Sequence, residues 1–213
     1  MAEDLGKSIP GRLIGLEALA AADPAETIVD VGVFMGTQEL YEAFGDRRFV
    51  LVDPIKNAAD RLQCAPDDYV FVNKALGSRP GKVILNAMGS KTTISDRTAL
   101  SEATIRAQYE VEVITLDTVI EEHCAPGKVG VKIDTEGYEL EVVRGLQAQR
   151  ERVSFVICET SVRKRFVDGY VFSDLVAAMK DAGFEFYNFM NNRLQTPRLY
   201  DILFLRSDDR LFE

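Results

Sequence analysis

The sequence predicts one α/β domain built on an open, mainly parallel sheet with helices on both faces. Short β-branched runs alternate with helical stretches along the chain, which is typical of βαβ units. The last two apolar runs have the character of antiparallel strands, which indicates a mixed end to the sheet. A length of 213 residues, with 46% apolar and 28% charged residues, suits a single globular core. No internal repeat and no linker interrupts this pattern.

The first half of the chain alternates strands and helices. Strands are predicted at 27–31, 49–52, 69–73 and 82–85, and helices at 37–44 and 58–62. Pro54 ends the second strand, because the residue before proline disfavours helix and proline itself has no N–H to donate. The turn 78–81 separates the third and fourth strands. The polar segment 89–108 is predicted to be a loop followed by a helix.

The second half contains five further predicted strands and two helices. The strands are 111–115, 129–133, 153–158, 184–189 and 200–205, and the helices are 138–144 and 172–182. A glycine follows each helix, at Gly145 and Gly183, as a left-handed carboxyl-terminal cap requires. These elements place the domain at 27–206, between a helical segment at 1–26 and a tail at 207–213.

Charge and histidine content exclude several function classes. Lys and Arg number 25 against 34 Asp and Glu, a net charge of −9, so the chain as a whole repels nucleic acid and anionic membranes. His123 is the only histidine, which excludes multi-histidine zinc sites and leaves a triad hydrolase weakly supported. Its position at a predicted helix end is explained by the helix dipole. We therefore assign it no catalytic role.

Cysteine usage and the amino-terminal stretch bear on the compartment. The three cysteines, Cys64, Cys124 and Cys158, are odd in number and far apart, so they predict neither a disulfide framework nor a zinc knuckle. Glu17 and Asp23 interrupt the amino-terminal apolar residues, so no signal peptide or membrane span is predicted. We expect a protein of the cytoplasm with no membrane span.

Ligands of open α/β sheets bind outside the carboxyl ends of the strands. This rule selects five groups of residues for a predicted site: 30–36, Asp53, 73–77, 134–137 and 159–161. Because the parallel strands all end at the same edge, these groups are expected to gather there.

The first of these groups indicates a cationic ligand. Gly32 and Gly36 lie between a strand and a helix, where the absence of Cβ permits a sharp turn and close ligand approach. The spacing is not the G-x-G-x-x-G fingerprint, and Asp30 would repel a pyrophosphate. Asp53, after the next strand, suits the two hydroxyls of a ribose. Together they predict an adenosine attached to a positive group.

A longer motif carries a family resemblance. The run Lys132-Ile-Asp-Thr-Glu-Gly-Tyr-Glu139, continued by Leu140, Val142, Val143, Arg144 and Gly145, resembles the signature of FkbM-family S-adenosylmethionine-dependent methyltransferases. The resemblance continues in family order through Asp30-Val-Gly32, Gly36, Asn73-Lys-Ala-Leu-Gly77, Ile114-Thr-Leu-Asp117 and Glu159. It covers nearly all of 27–205. It implies a Rossmann-like class I methyltransferase fold with a mainly parallel sheet of seven strands.

The resemblance also implies roles for individual residues. Asp30, Gly32, Val33, Phe34 and Gly36 would approach the methionine and ribose end of S-adenosylmethionine. Asp53 would bind the ribose hydroxyls, Asn73, Lys74 and Ala75 the adenine, and Asp134 would lie near the methyl group. The chain departs from the family at Val33-Phe34, where Ala-Asn is usual, and at Asp53, where Glu is usual.

The expected reaction is methyl transfer to a hydroxyl of a small-molecule or glycan acceptor. Either Asp134 or Glu159 would accept the hydroxyl proton, and Lys132 would stabilise the developing oxyanion. Family membership suggests a sugar or a secondary metabolite as the acceptor. The loops 161–172 and 191–198 are expected to choose it, and the aromatics Phe166, Tyr170, Phe172, Tyr187 and Phe189 are weak candidates for its pocket. Association of identical chains is left open.

Structural interpretations of the same residues remain. The glycines could serve turns alone, Asp53 could cap a helix, and Lys132 could form a plain ion pair with Asp134. Glu136 and Glu139 begin a predicted helix, where carboxylates are favoured by the dipole.

Three functional alternatives remain open. Asp134, Glu136 and Glu159 could hold Mg²⁺ for a cation-assisted O-methyltransferase, although no resident metal site is predicted. The others are a nicotinamide-dependent oxidoreductase and a non-catalytic ligand-binding module.

Overall fold

The computed structural model describes residues 11–96, 105–190 and 199–212. The strands are β1 (Thr27–Val31), β2 (Arg48–Val52), β3 (Tyr69–Val72), β4 (Ala75–Leu76), β5 (Gly81–Ala87), β6 (Ala107–Ile114), β7 (Val129–Ile133), β8 (Val153–Ser161), β9 (Phe184–Phe189) and β10 (Leu199–Arg206). The helices are α1 (Gly11–Ala22), α2 (Gln38–Ala43), α3 (Leu116–His123), α4 (Glu139–Arg144) and α5 (Phe172–Asp181). Single turns of 3₁₀ helix occur at Ala59–Arg61, Arg150–Arg152 and Arg210–Phe212.

Seven strands form the main sheet in the order β3-β2-β1-β7-β8-β10-β9. Adjacent strands from β3 through β8 are parallel to one another, whereas β10 runs antiparallel to both β8 and β9. The predicted fold class is confirmed. The strand order reverses between β1 and β7, and a ligand crevice forms at such a switch point.

Helices cover both faces of this sheet because its central strands are apolar on both sides. All five residues of β1 and of β7 are buried. On one face Ile28 packs in a cluster with Leu40 of α2 and Leu16 of α1. On the other face Val29 shares a cluster with residues of α3, α4 and α5. Packing on both faces of the sheet thus fixes the positions of the strand ends that surround the crevice.

A second sheet, of three strands, departs from the prediction of one seven-stranded sheet alone. Its order is β4-β6-β5, and it takes up the strands predicted at 82–85 and 111–115. The two-residue strand β4 was not predicted at all. The helix predicted at 58–62 is a single 3₁₀ turn. Of the segment 89–108, predicted as a loop followed by a helix, residues 97–104 lie outside those described and residues 107–108 belong to β6.

The two glycines predicted as helix caps differ. Gly183 has φ +88°, as the left-handed cap requires, but Gly145 has φ −79°, so the prediction is wrong there. A Cβ on Gly145 would clash with the backbone carbonyl of Gly77. Gly145 therefore serves the close approach of the end of α4 to the chain following β4. In the described residues no helix is long and apolar enough to cross a bilayer.

Candidate active site

A cavity of about 360 Å³ opens at the carboxyl ends of the central strands. Of the residues predicted for the site, its lining includes Gly32, Val33, Phe34, Gly36, Asp53, Lys74, Ala75, Lys132, Asp134 and Glu159. The cavity has two walls. The β1–β2 wall comprises residues 32–34, Gly36 and residues 53–55, and the β7–β8 wall comprises Lys132, residues 134–136 and Glu159.

The β1–β2 wall is built around the Asp53 carboxylate, which is 3% exposed. The Phe34 N–H donates to Oδ2 and the Ile55 N–H to Oδ1, each at 2.8 Å. Burial raises the pKa of Asp53, and these two hydrogen bonds oppose that rise. Phe34 has φ +52°, a conformation that L-residues seldom adopt, and its bond to Asp53 helps to hold it. Asp53 thus fixes the loop after β1 while it faces the cavity.

The two glycines of this loop are required by backbone packing. Gly32 has φ +83° and Gly36 has φ +110°. A Cβ on Gly32 would collide with the Asp134 carbonyl, and one on Gly36 would collide with the Cys64 carbonyl. Gly32 therefore lets the ends of β1 and β7 approach each other, which brings the two walls together.

Two predicted ligand contacts, Asp30 and Asn73, lie behind the cavity and not on its lining. Asp30 is completely buried, and its Oδ2 accepts a 2.9 Å hydrogen bond from the Tyr41 hydroxyl. Asn73 donates through Nδ2 to the carbonyls of Asp53 and Ile55, at 2.7 and 2.8 Å. Both side chains support the β1–β2 wall from the rear.

Lys132 joins the two walls. Its side chain is 4% exposed, and its Nζ lies 3.5 Å from Asp30 Oδ1 and 3.3 Å from Asp134 Oδ2. Strand register explains the arrangement, because Lys132 on β7 is directly opposite Asp30 on β1. The ion pair between Lys132 and Asp134 that the sequence allowed is therefore present. It orients Asp134 at the carboxyl end of β7.

Glu139 has a structural role at the start of α4. Its carboxylate is 2% exposed and accepts hydrogen bonds from the N–H groups of Thr135 and Gly137, each at 2.9 Å. The Tyr170 hydroxyl donates to Oε2 at 2.5 Å. Burial raises the pKa of Glu139, and these hydrogen bonds oppose that rise. Glu139 thus fixes the loop of residues 134–137.

Glu159 carries the most perturbed carboxyl on the cavity lining. It lies within β8, next to Asp201 in the β10 register. Burial, together with the neighbouring charges of Asp134 and Glu136, raises its pKa to about 9. Such shifts cluster at functional sites. Arg165 Nη1 lies 3.9 Å from Glu159 Oε2, and Arg165 Nη2 lies 2.7 Å from Glu136 Oε2.

Sequence reasoning missed part of the lining. Residues 89–94 after β5 contribute Gly89, Ser90, Thr92, Thr93 and Ile94 to it, and the Thr93 hydroxyl donates to the Glu136 carbonyl at 2.7 Å. The signal was present as a Gly-Ser-Lys-Thr-Thr run after a predicted strand. The Arg165 contacts left no local signal, because its partner Glu136 is 29 residues away.

None of the five predicted aromatic candidates lines this cavity. Phe166 is buried against Gly137, and Tyr170 is bonded to Glu139. Phe172 and Phe189 have ring centroids 6.4 Å apart, and Tyr187 packs against the Phe212 ring. The loop predicted at 191–198 lies outside the described residues.

The three carboxylates considered as magnesium ligands share the cavity but do not form a metal site. Asp134, Glu136 and Glu159 all line the cavity. Within residues 11–96, 105–190 and 199–212, however, no three acidic, histidine or cysteine side chains converge as a metal would require. Lys132 and Arg165 occupy positions beside these carboxylates instead. The residues therefore do not fit the ion, and no step is derived through it.

Comparison with known proteins identifies the family. Residues 30–186 match the model described as the methyltransferase FkbM domain. No curated protein sequence matches the chain.

Among solved structures, a Methanococcus jannaschii fibrillarin pre-rRNA processing protein is 7% identical, with 93% of this chain and 76% of that chain covered and a TM-score of 0.52. This similarity shows the fold alone. Magnesium protoporphyrin IX methyltransferase from Synechocystis, with bound SAM, is 12% identical, with 93% and 81% covered and a TM-score of 0.46. Because the family model spans most of the sequence, the chain belongs to the FkbM family of methyltransferases.

Proposed function

We propose that this methyltransferase transfers the methyl group of S-adenosylmethionine to a hydroxyl of a sugar or a secondary metabolite. The observation that carries the proposal is the convergence of Asp53, Asp134 and Glu159 on one cavity from three different strands. Family membership supports methyl transfer as such. Oxygen as the accepting atom is inferred from the chemistry of the β7–β8 wall.

The β1–β2 wall suits the donor. Each Asp53 oxygen accepts one backbone N–H and keeps a second lone pair, which is available to a ribose hydroxyl. Lys74 and Ala75 line the cavity beside it, where the family resemblance expects adenine. The cavity carries five carboxyl groups, from Glu39, Asp53, Asp134, Glu136 and Glu159, against the two lysines Lys74 and Lys132. This excess of acidic groups favours a cationic sulfonium.

The β7–β8 wall suits an acceptor that must lose a proton. S-adenosylmethionine supplies a methyl group on a sulfonium, which a hydroxyl oxygen can displace in line. As the oxygen–carbon bond forms and the carbon–sulfur bond breaks, the hydroxyl proton passes to the carboxylate of Glu159. The Asp134 carboxylate is held 3.3 Å from Lys132 Nζ, so it serves to orient the methyl end of the site. Alignment of this kind contributes about 7 to 11 kcal/mol.

Glu159 is preferred to Asp134 as the proton acceptor because of its basicity. A carboxylate whose conjugate acid has a pKa of about 9 binds a proton much more tightly than an ordinary one. The sulfonium charge favours the ionised carboxylate when the donor is bound. Lys132, expected from the sequence to stabilise an oxyanion, holds Asp30 and Asp134 instead, and we assign it that orienting role.

The test is a screen of hydroxylated acceptors with methyl-labelled donor, preceded by calorimetry. We expect S-adenosylmethionine and S-adenosylhomocysteine to bind and label to pass to an oxygen atom. Binding of NAD in place of both compounds would establish the oxidoreductase. Donor binding with no transfer to any acceptor would favour the ligand-binding module, and label on nitrogen or carbon would overturn the choice of oxygen.

The thiols support a reducing compartment. Cys64, Cys124 and Cys158 are all free, and burial raises the pKa of Cys124 to about 11. We place the protein in the cytoplasm on this basis. A count of three free thiols on protein purified without reductant would agree, and a disulfide would contradict it.

A further inference from the structure

The loop between β8 and α5, residues 162–171, carries an arginine that contacts two of the three acidic groups of the β7–β8 wall. The Arg165 guanidinium lies 2.7 Å from Glu136 Oε2 and 3.9 Å from Glu159 Oε2. The Arg165 side chain is only 14% exposed. It also lies over the Phe166 ring, 5.4 Å from the centroid. One buried cation thus contacts carboxylates from two separate segments of the chain.

Three contacts anchor this loop and so fix the place of the guanidinium. The Phe166 ring is 4% exposed and occupies the space beside Gly137, where a Cβ would collide with it. The Val167 N–H donates to the Asp96 carbonyl at 2.9 Å. The Tyr170 hydroxyl donates to Glu139. The loop is therefore tied to both the 134–139 segment and the end of the 89–96 segment.

The electrostatic surroundings of Glu159 explain why a fixed cation matters. Asp134 and Glu136 from the loop after β7, Glu139 from α4 and Asp201 from β10 all disfavour its ionised form. Lys132 on β7 and Arg165 both lie beside these carboxyl groups. Lys132 lies between Asp30 and Asp134. Arg165 contacts Glu136 and Glu159, so its charge offsets part of theirs.

We propose that Arg165 is a positioning residue for methyl transfer, whose forked guanidinium holds Glu136 and Glu159 in one arrangement facing the acceptor. This inference rests on the proposed function, because it presumes that Glu159 receives the acceptor proton. The planar fork contacts two carboxylates through separate nitrogens, which a lysine ammonium reproduces only in part.

The test compares Arg165→Gln and Arg165→Lys with Arg163→Gln. Arg163 is exposed on the same loop, so its substitution changes the net charge equally without touching the cavity. We expect Arg165→Gln to lower kcat at least tenfold with an unchanged donor Kd, and Arg165→Lys to recover part of the loss. Arg163→Gln should match the wild type.

A second readout needs no acceptor. The titration midpoint of Glu159 can be followed by NMR in protein labelled with ¹³C at glutamate carboxyls. We expect this midpoint to rise by about one pH unit in Arg165→Gln and to be unchanged in Arg163→Gln. An unmoved titration would overturn the proposal. So would a loss of donor binding or melting temperature in step with kcat, or a failure of both Arg165 variants to fold, since each would indicate a purely structural residue. If the Glu159 titration moves in Arg165→Gln but the wild type methylates no hydroxyl, the proposed function alone is refuted.

Discussion

The two walls of the cavity hold their carboxylates by different means. In the β1–β2 wall, both oxygens of Asp53 accept backbone N–H groups. In the β7–β8 wall, Asp134, Glu136 and Glu159 face one another and are balanced by Lys132 and Arg165 side chains. Bonds from backbone N–H groups hold the first carboxylate in one orientation, whereas a cluster of like charges responds to protons and to ligand charge. This difference is the basis on which we propose donor binding for the first wall and proton transfer for the second.

The largest effect is expected from Glu159→Gln. Removing the proton acceptor should lower methyl transfer by about 100-fold or more, because general bases contribute 10²- to 10⁴-fold. Donor Kd should change little, because Asp53 and the glycine loop are untouched. Steady-state rates with calorimetric Kd values check this. A variant with full activity would assign the proton to another group, and Asp134→Asn is the next variant to measure.

The pH dependence should follow the same carboxyl. Glu159 accepts a proton only when ionised, and its pKa is raised to about 9, so transfer should increase as pH rises toward 9. With the donor bound, the sulfonium lowers that pKa, so kcat should level off at a lower pH than kcat/KM for the donor, which reports the enzyme without bound sulfonium. The expected slope is about tenfold per pH unit on the rising limb. Rates independent of pH between 6 and 9 would contradict the role of Glu159.

In the β1–β2 wall, Asp53→Ala should weaken donor binding by about 1.5 to 3 kcal/mol, the worth of charge-assisted hydrogen bonds. The matched control is Asp60→Ala, which removes an exposed carboxylate from the adjacent 3₁₀ turn. Calorimetry measures both. If Asp53→Ala binds the donor normally but has a much lower melting temperature, Asp53 only stabilises the loop after β1 and does not bind the donor.

The smallest effect is expected from chelation. Lys132 and Arg165 occupy positions beside the carboxylates that a magnesium ion would need, so treatment with EDTA should leave transfer unchanged. Loss of activity on chelation, restored by Mg²⁺ alone, would assign these carboxylates to the metal.

The sequence predicted the central strands better than the surroundings of the site. The bounds of β1, β7 and β9 match the prediction because each is a β-branched or aromatic run that begins directly after a charged residue or a glycine. The two-residue strand β4 could not be predicted, since it is defined by its pairing with β6. The second sheet depends on the same non-local pairing.

The site was predicted from the ends of strands, and there is a physical reason why two of the predicted residues, Asp30 and Asn73, lie behind the cavity. Asp30 precedes the end of β1 by one residue, so it lies under α2 and bonds Tyr41. Asn73 turns back to brace carbonyls of the 53–55 segment. Periodicity places a residue at an edge, but only the tertiary neighbours decide whether its side chain faces the cavity. Arg165 shows the same limit, since its partners come from other segments.

The position of the antiparallel strand β10 affects the order in which the strands of the sheet can pair during synthesis. It follows β9 in sequence but lies between β8 and β9 in the sheet. During synthesis, β8 therefore exposes an unpaired edge until the ribosome has released residue 206. Domains synthesised from the amino terminus fold as their contacts become available. The strand that carries Glu159 consequently gains its second neighbour only after β9 and β10 have been synthesised, long after β1 and β2 can pair.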